Sequence, residues 1–89
     1  MFDLKDLRCF VAVYERRGFA RAASELHTVQ SAVSVRIRRL EALIGAYLFE
    51  RAHRSIVVTD KGELLYRHAK RVLDNVRELE RIVRGERAA

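Results

Sequence analysis

Residues 19–44, FARAASELHTVQSAVSVRIRRLEALI, hold the pattern that decides the fold. Phe19, Ala22, Ala23 and Leu26 recur at helical spacing, and Val33, Ile37, Leu40 and Ile44 do so again after a polar break. This predicts two short amphipathic helices joined by a turn containing His27 and Thr28. The second keeps its apolar residues on one side and Ser31, Ser34, Val35, Arg38 and Arg39 on the other. Hydroxyls, a valine and arginines on one face suit a polar, anionic surface, and the major groove of DNA has that character.

Helical geometry ranks these side chains. At about 100° per residue, with Val33, Ile37, Leu40 and Ile44 inward, Ser31, Val35, Arg38 and Ala42 point most directly outward. Ser34 and Arg39 flank that direction, and Arg36 lies nearer the core edge. Gln30 falls in the first turn, where helices of this kind meet base edges. A glutamine can bond an adenine bidentately, and Val35 could meet a thymine methyl.

Outward from this pair, the chain is one small domain of 89 residues, a size that often gains stability by dimerising. Lys and Arg number 18 against 12 Asp and Glu, which suits a polyanionic partner. Five arginines and two acids lie between Thr28 and Thr59, so the excess recurs in the region of interest. The single cysteine, Cys9, excludes an internal disulfide and fits a reducing compartment. No apolar run approaches the ~18–20 residues of a membrane span, and no signal-type N-terminus is visible. A cytoplasmic protein is expected, and nucleoid-associated if its polyanionic partner is DNA.

Upstream, Asp3 can cap a first helix whose inward stripe is Leu4, Leu7, Val11 and Tyr14, with Gly18 as its left-handed stop. Cys9 falls away from that stripe, as a packed or exposed thiol rather than a redox sensor. The second helix runs from Phe19 to Leu26. Thr28 is the nearest residue able to cap the third, which Gly45 ends. Two strand-like runs follow, Tyr47–Arg51 and Ser55–Thr59, separated by Ala52, His53 and Arg54. They form a small hairpin, or wing.

Thr59 then caps a last helix of about 25 residues, with Asp60 and Glu63 at the positive end of its dipole. Leu65, Ala69, Val72, Val76, Leu79 and Val83 are spaced four, three, four, three and four apart, as in a heptad seam. A domain this small can hardly cover so long a stripe. A homodimer through this helix is the expected arrangement, in preference to packing across its own domain.

The order of elements, with LRCFVAV, GFARAASELH, QSAVSVRIRRLE, IGAYLFER and VVTDKGELL, resembles the N-terminal DNA-binding domain of a LysR-type transcriptional regulator. The likeness covers about residues 2–84. It implies a mainly α fold: a winged helix-turn-helix over 1–59, a linker and dimerisation helix over 60–85, and a tail over 86–89. It implies a bacterial regulator binding duplex DNA as a homodimer, with a tetramer open to the full-length protein. Family members are about three times longer, so the C-terminal effector-binding domain is expected to be missing here. A small-molecule effector would act only through that domain.

The resemblance also assigns roles. Gln30, Ser31 and Ser34 match residues that face bases and phosphates, and Arg54 matches a wing arginine that reaches toward the minor groove or its phosphates. The family commonly has Ser-Arg-Gln where this chain has Ser34, Val35 and Arg36, which leaves open whether Arg36 or Arg38 reaches the DNA. A capping serine is usual where Val29 stands, so the cap moves to Thr28. The candidate DNA-binding set is Thr28, Gln30, Ser31, Ser34, Val35, Arg36, Arg38, Arg39 and Arg54.

Nothing suggests an enzyme, a metal site or a cofactor for this domain. His27, His53 and His68 fall on three different elements without ligand spacing, and no catalytic set or phosphate loop is present. Two other readings remain open, a sequence-tolerant architectural DNA-binding protein and a helical adaptor with an acidic partner. Neither accounts for the glutamine and serines that open the third helix.

Overall fold

The computed structural model describes residues 2–52 and 55–85, with the side chains of Arg51 and Ala52 also outside the description. In chain order it has α1 (Leu4–Arg16), α2 (Phe19–Glu25), α3 (Gln30–Ile44), β1 (Phe49–Ala52), β2 (Ser55–Val58) and α4 (Asp60–Val83). The strands pair antiparallel, with Phe49 opposite Val58 and Glu50 opposite Val57. This is a three-helix core with a two-stranded wing and a long final helix.

α1 starts where Asp3 accepts a hydrogen bond from the Lys5 N–H at 2.8 Å. Its end differs from expectation. Arg17, not Gly18, takes the left-handed conformation (φ 53°), and Gly18 is extended and begins α2. The Arg17 guanidinium lies 4.7 Å from the Tyr14 ring centre, a contact that accompanies this conformation. The inward stripe shifts as well. Leu4 is exposed, whereas Cys9, Phe10, Ala12 and Val13 are buried with Leu7 and Val11. α1 packs against α2, α3 and α4, so more than one of its faces turns inward. That is why Cys9 is buried although it lies off the stripe.

The turn between α2 and α3 closes through backbone bonds from the His27 N–H to Ser24 O and from the Thr28 N–H to Ala23 O. His27 is left-handed there, at φ 56°. With Thr28 tied to α2, the residue at the start of α3 is Val29, and no side chain caps the helix. The expected Thr28 cap is therefore absent. Gly45 (φ 77°) ends α3 as expected, its N–H bonding Glu41 O.

The wing is shorter at its root than the sequence predicts, because Tyr47, Leu48 and Thr59 serve the junction instead. The Thr59 N–H bonds Leu48 O, and the Thr59 hydroxyl donates to Tyr47 O at 2.7 Å while accepting from the Gly62 N–H. Glu41 of α3 accepts a bond from the Leu48 N–H. A Cβ on Gly62 would stand 2.4 Å from Leu48 O, so this contact requires glycine.

The core is built on Phe10, Val13, Val33, Ile37, Leu40 and Leu48, all 2% exposed or less. Phe49 brings the wing into it, with ring centres 5.4 Å from Phe10 and 6.1 Å from Phe19. α4 docks on α1 through a crossed pair. Tyr14 donates to Glu63 and Tyr66 donates to Glu15, both at 2.6 Å, and the two rings stack 3.7 Å apart. Among the described residues, no helix is long and apolar enough to cross a membrane.

Candidate nucleic-acid interface

The inward side of α3 is set by Val33, Ile37 and Leu40, which are buried. Its opposite side therefore faces out. Thr28, Gln30, Ser31, Val35, Arg38 and Arg39 are exposed, and Ser34 is half-buried. Among the described residues no side chain caps α3, and its first-turn N–H groups lie beside the exposed Thr28, Gln30 and Ser31. Val29, also exposed, adds an apolar side chain that the sequence reading left out. Arg54 lies outside the described residues, as does His53.

Arg36 stands apart from the other candidates. Its Nη1 donates to Oδ1 of Asp6 at 2.9 Å, and Asp6 is wholly buried at the start of α1. The second carboxylate oxygen, Oδ2, lies 3.6 Å from Arg39 Nε. One buried acid thus meets two arginines one turn apart on α3. The bond to Asp6 pushes the Arg36 guanidinium still further up from its ordinary value. No local pattern marks Asp6 for this role, because its partner lies 30 residues away.

Beside Arg36 is an open cleft of ≈ 240 Å³ between α1 and the start of α3, lined also by Lys5, Arg8, Cys9 and Thr28. Lys5 and Arg8 extend the basic surface onto α1, where no sequence motif marks them. Burial pushes the Cys9 thiol up from its usual value, with Arg36 opposing. A thiol held protonated is a poor nucleophile. On the other side of α3, a groove of ≈ 450 Å³ runs to the wing root past Arg38, Glu41, Tyr47 and Glu50. Its two acids make it less suited to an anion.

The heptad positions of α4 divide. Leu65 is half-buried and Ala69 buried, both against the domain's own core, where they are joined by Leu73, which lies off the stripe. Ala69 therefore offers no surface to a second copy. Val76 is half-buried, while Val72, Leu79 and Val83 are 42%, 60% and 75% exposed, as is Ile82 at 64%. Among the described residues, no group of three or more His, Cys, Asp or Glu side chains is placed to hold a metal ion.

With this geometry in place, residues 4–63 match the model of the bacterial regulatory helix-turn-helix protein, lysR family. The chain belongs to that family. This LysR-family domain is 42% identical over 77 residues to the HTH-type transcriptional regulator CfxR of Cupriavidus necator, covering 86% of this chain and 24% of CfxR. It is 42% identical over 88 residues to the regulator XapR of Escherichia coli K12, covering 94% and 30%. The domain therefore spans about a quarter to a third of the length of these relatives, both of which are named as regulators rather than enzymes.

Solved structures agree in fold. The LysR-family domain superposes with a TM-score of 0.89 on the BenM DNA-binding domain in complex with catB site 1 DNA, at 35% identity and 93% coverage of both chains. For the CbnR DNA-binding domain in complex with DNA the score is 0.87, at 32% identity, covering 94% of this chain and 97% of that one. The architecture is that of a winged helix-turn-helix with a long final helix.

Proposed function

We propose that this domain is the DNA-binding part of a transcriptional regulator, reading a dyad-symmetric operator as a homodimer with α3 in the major groove. The observation that carries this reading is the exposed face of α3. Gln30, Ser31, Val35 and Arg38 are exposed, while Val33, Ile37 and Leu40 of the opposite face are buried in the core. Gln30 and Val35 have the chemistry to meet base edges, and Arg38 with Ser31 and Ser34 that to meet phosphates or bases. The BenM and CbnR domains that this chain resembles were crystallised with DNA.

Dimerisation is assigned to the distal part of α4, from Val72 through Val76 and Leu79 to Val83, with Leu65 at the near edge. Such a row, with Val72, Leu79 and Val83 exposed and Val76 half-buried, is suited to a two-fold contact. The domain uses no cofactor of its own, and an effector would bind a separate C-terminal domain of the whole regulator. A tetramer would likewise belong to the whole protein, which works in the cytoplasm at the nucleoid.

Selection of bound sequences from a random duplex pool tests this reading. The expected product is an inverted repeat with half-sites about one helical turn, ~34–36 Å, apart. A pool that stays random would point to charge-driven architectural binding, and a single unrepeated half-site would contradict the dimer.

A further inference from the structure

We propose that Asp6 is a positioning residue that limits how much of the recognition helix's charge reaches DNA, and so keeps sequence discrimination ahead of non-specific grip. This rests on the DNA-binding reading above. Of the three arginines on α3, Arg36 and Arg39 both meet one carboxylate that is wholly buried, at 2.9 Å and 3.6 Å. Among the described residues Arg38 meets no such acid, and its side chain lies on the outward face between α3 and the wing.

The energetics favour retention of Arg36 by Asp6. A charge-assisted bond to a buried carboxylate is among the stronger polar contacts a protein makes. A phosphate could take Arg36 only by leaving Asp6 charged, buried and short of a partner, which is strongly unfavourable. Arg36 has only 31% of its side chain exposed and turns toward the α1 cleft with Lys5, Arg8 and Cys9. Arg39, with 55% exposed, is restrained less, since Oδ2 accepts no hydrogen bond from it.

Asp6 therefore acts from behind the helix. It neutralises most of the charge at position 36, which would otherwise attract every sequence alike, and leaves Gln30, Val35 and Arg38 to face the groove. Open phosphate contacts raise affinity without carrying sequence information. Withholding one lowers non-specific binding and widens the gap to the chosen site.

The test is a salt titration of the intact chain, with Asp6→Asn, Arg36→Gln and the double variant, on a selected duplex and a scrambled duplex of equal composition. Asp6→Asn is expected to steepen the slope of log affinity against log salt by about one on scrambled DNA, as Arg36 becomes free to meet a phosphate. Affinity for scrambled DNA should then rise by up to about eightfold near 0.1 M salt, and the selected-to-scrambled ratio should fall. Arg36→Gln should leave slope and ratio as in the wild type, and the double variant should lose the steepening.

A flattening by about one in Arg36→Gln would overturn the proposal, because Arg36 would then already touch phosphate. So would an Asp6→Asn domain that remains folded by circular dichroism yet binds both duplexes as the wild type does, or binds both more weakly. If Asp6→Asn does not fold, Arg36→Gln still decides, since it leaves Asp6 in place with Arg39 and a glutamine donor. The wild-type titration tests the DNA reading separately: no binding to either duplex fails that reading, whatever the variants do.

Discussion

The two halves of α4 carry one heptad pattern and meet different fates. From Asp60 to Leu73 the helix lies on α1, with Gly62, Ala69 and Leu73 buried and Tyr66 stacked on Tyr14. Beyond Leu73 the same helix continues to Val83 with Leu79, Ile82 and Val83 exposed. The molecule is 47 Å long but only 25 by 21 Å across, so the three-helix core ends before the helix does. An apolar seam states that a helix has a partner. It does not state whether that partner is the same chain.

The largest effect should come from the near half. Leu73→Ala leaves a cavity between α4 and the core and should lower the unfolding free energy by about 2–5 kcal/mol in urea denaturation. A loss under about 0.5 kcal/mol would mean that the near half is as free as the far half.

The crossed tyrosine pair offers a smaller and pH-dependent effect. Tyr66→Phe removes the bond to Glu15 and should cost about 1 kcal/mol. In the folded protein the Tyr66 phenol is pushed up to about 12 by that bond, with burial adding to it, and Tyr14 is raised by Glu63. A raised acid stabilises the fold while protonated. This contribution is complete below the unfolded phenol value of 10.0 and is lost as pH rises toward about 12. The urea midpoint should fall across that window in the wild type, and the fall should be shallower in Tyr66→Phe. Equal slopes would show that the pair does not hold α4 to α1.

The smallest effect on the fold belongs to the far half. Leu79→Asp should change unfolding of the monomer by less than about 0.5 kcal/mol, because Leu79 touches little of its own domain. It should nonetheless shift sedimentation from dimer to monomer, and Val76→Asp should do the same. If Leu79→Asp instead unfolded the monomer, the division of α4 at Leu73 would be misplaced.

The same division between local and distant information runs through the rest of the molecule. Helix spacing made α2, α3 and the face of α3 legible, and Asp3, Gly45 and Thr59 marked ends where a single residue decides the geometry. Expectation failed where a residue had two possible uses. Gly18 could stop α1 or begin α2, and Arg17 took the left-handed turn beside Tyr14 instead. Thr28 could cap α3, but its N–H closes the turn on Ala23. Cys9 lies off a stripe that suffices for a helix with one neighbour, while α1 has three.

By itself the sequence determined the periodic elements, their order, and which side of α3 carries Gln30, Ser31, Val35 and Arg38, because each depends on residues a turn or two apart. Tertiary structure alone decided that Asp6 meets Arg36 and Arg39, that Gly62 passes under Leu48, and that Ala69 is spent within its own domain. Those contacts join residues 14 to 33 positions apart in the chain or depend on where the core ends. No local pattern encodes such a meeting; only the packed arrangement of helices brings the groups within reach of one another.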